Sequence, residues 1–396
     1  MSSKGGSGEP DDGVELAALA EIDDLVTAGE PLPFPLYDSQ GRLLLAAGQT
    51  IRSDRQLEAL QERGAGAAAQ EVRAARASRA AAAGTARAVR APTLFDRWEE
   101  QLWRLDGLLR GLRRGEATAA AVDALAVDVQ ALVEREPDAA LFLCVRQDDR
   151  RFALYSLAHA LHTATVAVLS ARTLGWPGAT VGALVRAALT MNTAIVELQA
   201  RMAQQSDPPS KRQLDEIRAH PAASAALLRA AGVADALWLQ CVEQHHEMPG
   251  GQGYPQGLTA LDDPVRLLRA ADVFCAKISP RALRAAIAPQ LALRQLFQAE
   301  SGSPLAAGLI KAVGVFPPGD FVRLKNDECA VVTHRATAAA GTRAVGLQDA
   351  AGRALHDAPR RDTGQAPYGI AAALSPQERA GLPRVLPEQV YGLLPP

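Results

Sequence analysis

The chain has 396 residues, 48% of them hydrophobic but only 4% aromatic, and a net charge of −2. That length holds two or three domains, and a core built of Ala, Leu and Val favours helices. The balanced charge argues against nonspecific nucleic-acid binding, which needs clustered Lys and Arg to displace counterions, so no DNA partner is expected.

Residues 1–13 are Gly, Ser and acid rich and predict a disordered tail. They lack the apolar core of a signal peptide, and no run of about 18 apolar residues appears, so no membrane span is expected. The four cysteines, Cys144, Cys241, Cys275 and Cys329, are scattered without a CxxC pair. Buried thiols in a reducing compartment fit better than a thiolate metal site or a disulfide framework. Together these features predict a soluble, cytoplasmic protein.

Residues 14–64 predict a small α+β module. "PLPFPLYDSQGRLLLAAGQTI" reads as two short strands joined at Asp38–Gly41. "SDRQLEALQERG" reads as a helix, with Ser53 as N-cap, Gln56 completing a capping box and Gly64 ending it. Residues 65–92 are mostly Ala, Arg and Gly with no persistent apolar stripe, and predict a solvated linker with room for partial helix. Its Arg73, Arg76, Arg79, Arg87 and Arg90 leave attraction of an acidic partner as the alternative.

Residues 93–136 predict a helical hairpin. Phe95, Trp98, Leu102, Leu105, Leu109 and Leu112 form one apolar stripe, and Val122, Leu125, Val129 and Leu132 a second. The stripes suit packing onto the next domain or, alternatively, a homodimer through the hairpin. Residues 137–314 are strongly helical in pattern, with Ser210 a candidate N-cap and Pro221 suited to the first turn of a following helix. Residues 315–396 predict a β-rich extension, beginning with a hairpin turned at Lys325-Asn326-Asp327. The fold class is therefore mainly α, with a small module at one end and a β extension at the other.

Five of the seven histidines fall in the helical domain: His159, His162, His220, His245 and His246; the others are His334 and His356. Neutral imidazole is the commonest metal ligand near neutral pH. A lone helical histidine is usually structural, but His245-His246-Glu247 precedes a Gly-rich loop. Adjacent helical side chains diverge by about 100°, so both reach one ion only at a helix end, which Pro249-Gly250-Gly251 would supply. Asp272 sits among Leu267, Leu268, Ala271 and Phe274, where an unpaired carboxylate is costly. A metal or a histidine partner would offset that cost; a carboxylate turned to solvent is the alternative.

These segments resemble the HD-GYP branch of the HD phosphohydrolases. "HHEMPGGQGYPQGL" is similar to the family pattern HHE-x-x-D-G-x-G-Y-P-x-G-L, with Gly250 in place of the Asp. "RAADVFCAKISPRALR" resembles a second family stretch and keeps Asp272, Ser279 and Arg281. "LAHALHTATVAVLSARTLGW" resembles the opening helix and places the first ligand histidine at His159; "RAHPAASAALL" supplies His220. The likeness spans about residues 137–335. It implies an HD-type helical bundle that binds two or three metals and hydrolyses cyclic di-GMP. It also implies His159, His220, His245, His246 and Asp272 as metal ligands. Gly253, Tyr254, Pro255 and Arg281 would contact the nucleotide.

The family's defining His-Asp pair is missing. The matching stretch reads "RAALTMNTAIVEL", so Met191 replaces the His, Asn192 the Asp, Ala194 a Gly and Ile195 a Lys. Tyr155 stands one turn before His159, where metal-rich members carry an acid. Asn is neutral and a thioether is a soft ligand, so a two-metal bridge is lost. His220, His245 and His246 leave two outcomes open. They hold one divalent transition metal (Fe, Mn or Zn), or none, with the imidazoles hydrogen-bonded to Glu247 or Asp272. Three functions remain: a degenerate domain that binds cyclic di-GMP or a signalling protein, an active phosphodiesterase with an altered site, and a ligand-free dimerisation scaffold.

Overall fold

The computed structural model describes residues 16–27, 30–51, 54–81, 93–146, 152–337, 341–355, 358–383 and 386–393. The predicted tail, Ser53 and His356 lie outside the described residues. The chain divides into two compact units, one formed by 1–107 with 148–155, the other by 108–147 with 156–396.

The first unit contains strands β1 (Leu16–Ala18), β2 (Leu36–Tyr37) and β3 (Leu43–Leu45), helix α1 (Asp54–Glu62), strand β4 (Gly66–Ala68) and helix α2 (Ala69–Ala81). The strands form an antiparallel sheet in the order β1-β4-β2-β3. The β2–β3 turn falls where expected, with Asp38 accepting the N–H groups of Gln40 and Arg42. Gly64 ends α1 in the left-handed region at φ 65°.

The linker expected at 65–92 is corrected over its first half. Residues 66–68 pair between β1 and β2, and α2 follows at once. The short strand escapes pattern reading because Gly66, Ala67 and Ala68 show no alternation. Gly66 is required there, since a Cβ would lie 2.5 Å from the carbonyl oxygen of Ala17. Residues 82–92 lie outside the described residues.

Helix α3 (Leu94–Arg114) begins in the first unit, whose boundary falls inside it. The second unit continues with α4 (Ala119–Arg135), α5 (Pro137–Val145), α6 (Tyr155–Thr173), α7 (Gly178–Thr190), α8 (Val196–Gln204), α9 (Lys211–Ala230), α10 (Ala236–Gln244), α11 (Asp263–Ile278), α12 (Pro289–Ala299) and α13 (Pro304–Val313). The apolar residues of both predicted stripes are buried. The stretches Phe152–Thr173 and Gly178–Gln204 are long and apolar enough to cross a membrane, but both are mostly buried inside the protein. All four cysteines are buried.

Helix α9 corrects a second expectation. It runs unbroken through Pro221 rather than restarting there, opened by Ser210 and a capping box with Gln213. The C-terminal sheet has the order β8-β7-β6-β5-β9, all antiparallel, from β5 (Phe321–Leu324), β6 (Cys329–His334), β7 (Arg343–Gln348), β8 (Arg360–Asp362) and β9 (Ile370–Ala373). One face buries Phe321, Val331, Val345 and Leu347 against Phe142 of α5. The other buries Val322, Leu324, Ala330 and Val332. Alternate residues serve opposite faces, as the strand period requires.

Candidate metal centre and loop

Helices α6, α9, α10 and α11 carry the candidate ligands. His159 lies on α6, His220 on α9 one residue before Pro221, His245 and His246 just past α10, and Asp272 on α11. Helix α10 ends at Gln244, five residues before the predicted Pro249 break, and His245 is its C-cap. That earlier end lets both adjacent rings turn inward.

His220, His245 and His246 each offer a ring nitrogen, and these atoms lie within 4.8 Å of one another. His220 Nδ1 faces the carbonyl oxygen of Ile217 at 2.5 Å, and His245 Nδ1 faces that of Val242 at 2.7 Å. A carbonyl only accepts, so both Nδ1 atoms carry the hydrogen. Both Nε2 atoms then present lone pairs, and they stand 3.0 Å apart. Lone pairs that close repel each other unless a cation lies between them. Protonating a ring is disfavoured: burial, reinforced by His246, pushes His220 down to about 3. Burial, with His246 and His220 adding, lowers His245 as well. Two imidazoles on one tetrahedral zinc sit about 3.3 Å apart, given Zn–N distances of about 2.0–2.1 Å. The trio therefore fits one metal ion.

His159 and Asp272 form a separate pair. Nε2 of His159 lies 2.6 Å from Oδ1 of Asp272, and both residues are buried. Burial would raise the Asp272 carboxyl, but the hydrogen bond and charge of His159, with His246 and His245 beyond, hold it well below the usual range. The solvent-facing alternative for Asp272 is thereby corrected: the histidine partner offsets the cost of burial.

Met191 caps α7 and is fully buried; Asn192 opens the turn Thr193–Ile195 that Ile195 closes, and both are buried too. The turn is anchored to α9, because the Ala194 N–H donates to Ser224 Oγ at 3.1 Å. Thr190, at the end of α7, accepts from the Trp238 indole of α10. The local backbone is thus held without the family's His, Asp, Gly or Lys. Asn192 Oδ1 is buried and accepts no hydrogen bond among the described residues.

Glu247 corrects another expectation. It does not hydrogen-bond the imidazoles. Its fully buried carboxylate accepts the backbone N–H groups of Gln256 (2.6 Å), Gly257 (3.2 Å) and Leu258 (3.0 Å). This folds the Gly-Tyr-Pro loop back over the histidines. Tyr254 stacks on His246 with centroids 4.7 Å apart and planes 25° from parallel. Gly253 packs directly on the chain: a Cβ would meet Met248 N at 2.3 Å and Glu247 Cα at 2.4 Å. Gly253 is needed for this close approach. Pro255 is exposed. Arg281 lies beyond α11, where its N–H bonds the Arg284 carbonyl. Sequence reasoning overlooked Arg269 and Arg218, whose charges act on His246 and Tyr254. Their only sequence signal is position, three residues before Asp272 and two before His220.

Helices that bring histidines and an aspartate to one buried centre, closed by a glycine-rich loop, define an HD-type domain. Residues 140–303 match the family model described as HD domain. A relative from Pseudomonas aeruginosa, cyclic di-GMP phosphodiesterase PA4108, is 26% identical over 232 residues, 57% of this chain and 55% of its own length. The chain thus spans about half the length of that relative. A solved structure, Bd1817, a HDG"Y"P protein from Bdellovibrio bacteriovorus, covers 75% of this chain and 98% of its own at 16% identity and a TM-score of 0.49. Residues 140–303 thus match an HD domain.

Proposed function

We propose that this chain is a degenerate HD-GYP protein of bacterial cyclic di-GMP signalling, acting in the cytoplasm by binding the dinucleotide or a signalling protein, with little or no hydrolysis. One observation carries the reading. Where the family places its His-Asp pair, this chain buries Met191 and Asn192 at the end of α7. A neutral amide and a thioether do not replace a bridging carboxylate and an imidazole. The buried Ile195 likewise supplies no charge toward a phosphate.

The binding apparatus is better kept. The Glu247 clamp orders the loop, and Tyr254 offers a ring face beside His246. The name of the Pseudomonas relative supports cyclic di-GMP as the ligand class. One metal ion, held by His220, His245 and His246, would polarise a phosphoryl oxygen of a bound ligand. The unpartnered Oδ1 of Asn192 favours a second reading, a phosphodiesterase with an altered metal site, because that oxygen can still donate a lone pair to a metal ion.

The test is cyclic di-GMP binding by calorimetry, with and without EDTA, beside turnover followed by chromatography. Binding that persists in EDTA without turnover supports the proposal. Metal-dependent turnover supports the altered phosphodiesterase. No binding in either condition leaves the domain a scaffold.

A further inference from the structure

Pro221 lies in the interior of α9, where a proline normally costs about 3 kcal/mol. It has no N–H to give the carbonyl four residues back, and that carbonyl belongs to Ile217. The same oxygen receives Nδ1–H of His220 at 2.5 Å. We infer that Pro221 is a positioning residue for His220: by freeing and displacing the Ile217 carbonyl, it fixes the imidazole as the Nδ1–H tautomer and turns the Nε2 lone pair toward the metal trio.

A second histidine shows the same device without a proline. His245 Nδ1–H donates to Val242 O, again three residues back. Val242 is among the last four residues of α10, whose carbonyls have no helical donor. One ligand thus uses a carbonyl freed by the helix end, and the other uses one freed by proline. His220 sits mid-helix, ten residues from the end of α9, so no end effect can serve it. An ordinary residue at 221 would return an N–H to Ile217 O and compete with the ring. Partners of this kind on the remote ring nitrogen fix ligand orientation and raise ligand basicity.

The inference rests on His220 being a metal ligand, and the experiment separates the two claims. The full chain is compared with Pro221→Ala and with Pro221→lactic acid. Lactic acid has the alanine side chain but an ester oxygen in place of the N–H. Zn²⁺ affinity is measured by competition with a chelating dye, and His220 ring ¹⁵N shifts are read in the metal-free protein. The expected result is a Zn²⁺ affinity about 10–100-fold weaker for the Ala variant, with the lactic acid variant near wild type. The ring shifts should show Nδ1–H in wild type and the lactic acid variant, and loss of that tautomer in the Ala variant. Equal affinities for the Ala and lactic acid variants would overturn the inference. If the wild type binds no Zn²⁺, the ligand reading fails, and the tautomers alone decide: one tautomer in all three proteins would also overturn it.

Discussion

His159 Nε2 meets Asp272 Oδ1 at 2.6 Å in the interior, so α6 and α11 are joined by a buried charge-assisted contact. Removing one member of such a pair strands the other in a medium of low polarity. Asp272→Ala should therefore lower stability by about 3–5 kcal/mol, well above an ordinary surface change. Urea unfolding in EDTA measures this free of metal effects. A loss below about 1 kcal/mol would mean that the contact is not part of the native ensemble.

The facing lone pairs of His220 and His245 predict metal stoichiometry. Elemental analysis after Zn²⁺ or Mn²⁺ loading should find one ion per chain, and His220→Ala or His245→Ala should abolish it. Met191→His/Asn192→Asp should raise the count to two, because on the proposed function it restores the carboxylate and imidazole of the family's His-Asp pair. A wild-type count of two would overturn the account of the degenerate pair.

The sequence made the candidate ligands legible because they sit in a motif of unusual composition. His245, His246 and the Gly-rich loop stand out, and Asp272 stands out as a charge on an otherwise apolar face. The helical hairpin and the C-terminal hairpin were legible from periodicity, and their stripes are buried as the spacing requires. Strand β4 was not legible, since three small residues carry no period. Nor was the continuity of α9 through Pro221, because propensity treats proline as a break and sees no side chain that can occupy the freed carbonyl. The role of Glu247 was hidden for a related reason. Its partners are backbone N–H groups nine to eleven residues away, and backbone donors leave no trace in side-chain chemistry.

Glu247→Gln tests the clamp. An amide offers one carbonyl oxygen where the carboxylate offers two, and its NH₂ would face a backbone donor. The three N–H groups are part-buried, so the loss of such a bond costs about 0.5–1.5 kcal/mol. Hydrogen exchange at Gln256, Gly257 and Leu258 should quicken while exchange in α6 and α7 is unchanged. Cyclic di-GMP affinity, on the proposed function, should fall about tenfold, the equivalent of about 1.4 kcal/mol. Unchanged protection at the three amides would show that the carboxylate does not hold the loop.

Acid should destabilise the metal-free protein well above the usual carboxylate range. His220 is held down to about 3 by burial and His246, and His245 is lowered by burial and its two neighbours. Unfolded imidazoles titrate near 6.5. Below that pH the unfolded chain takes up protons that the native rings refuse, so the unfolded state gains. The stabilisation is complete above about pH 6.5 and is lost as pH falls toward 3, by up to about 1.4 kcal/mol per pH unit for each ring. Asp272, whose folded carboxyl is depressed chiefly by His159 against the opposing effect of burial, adds a loss of the same sign below about 3.8. Urea midpoints from pH 7.5 to 4 in EDTA should fall steadily, and the slope should shrink in His245→Asn, which removes one such ring. A flat profile across this window would mean that the rings are already protonated in the native state, and the cation between their Nε2 atoms would then be a proton.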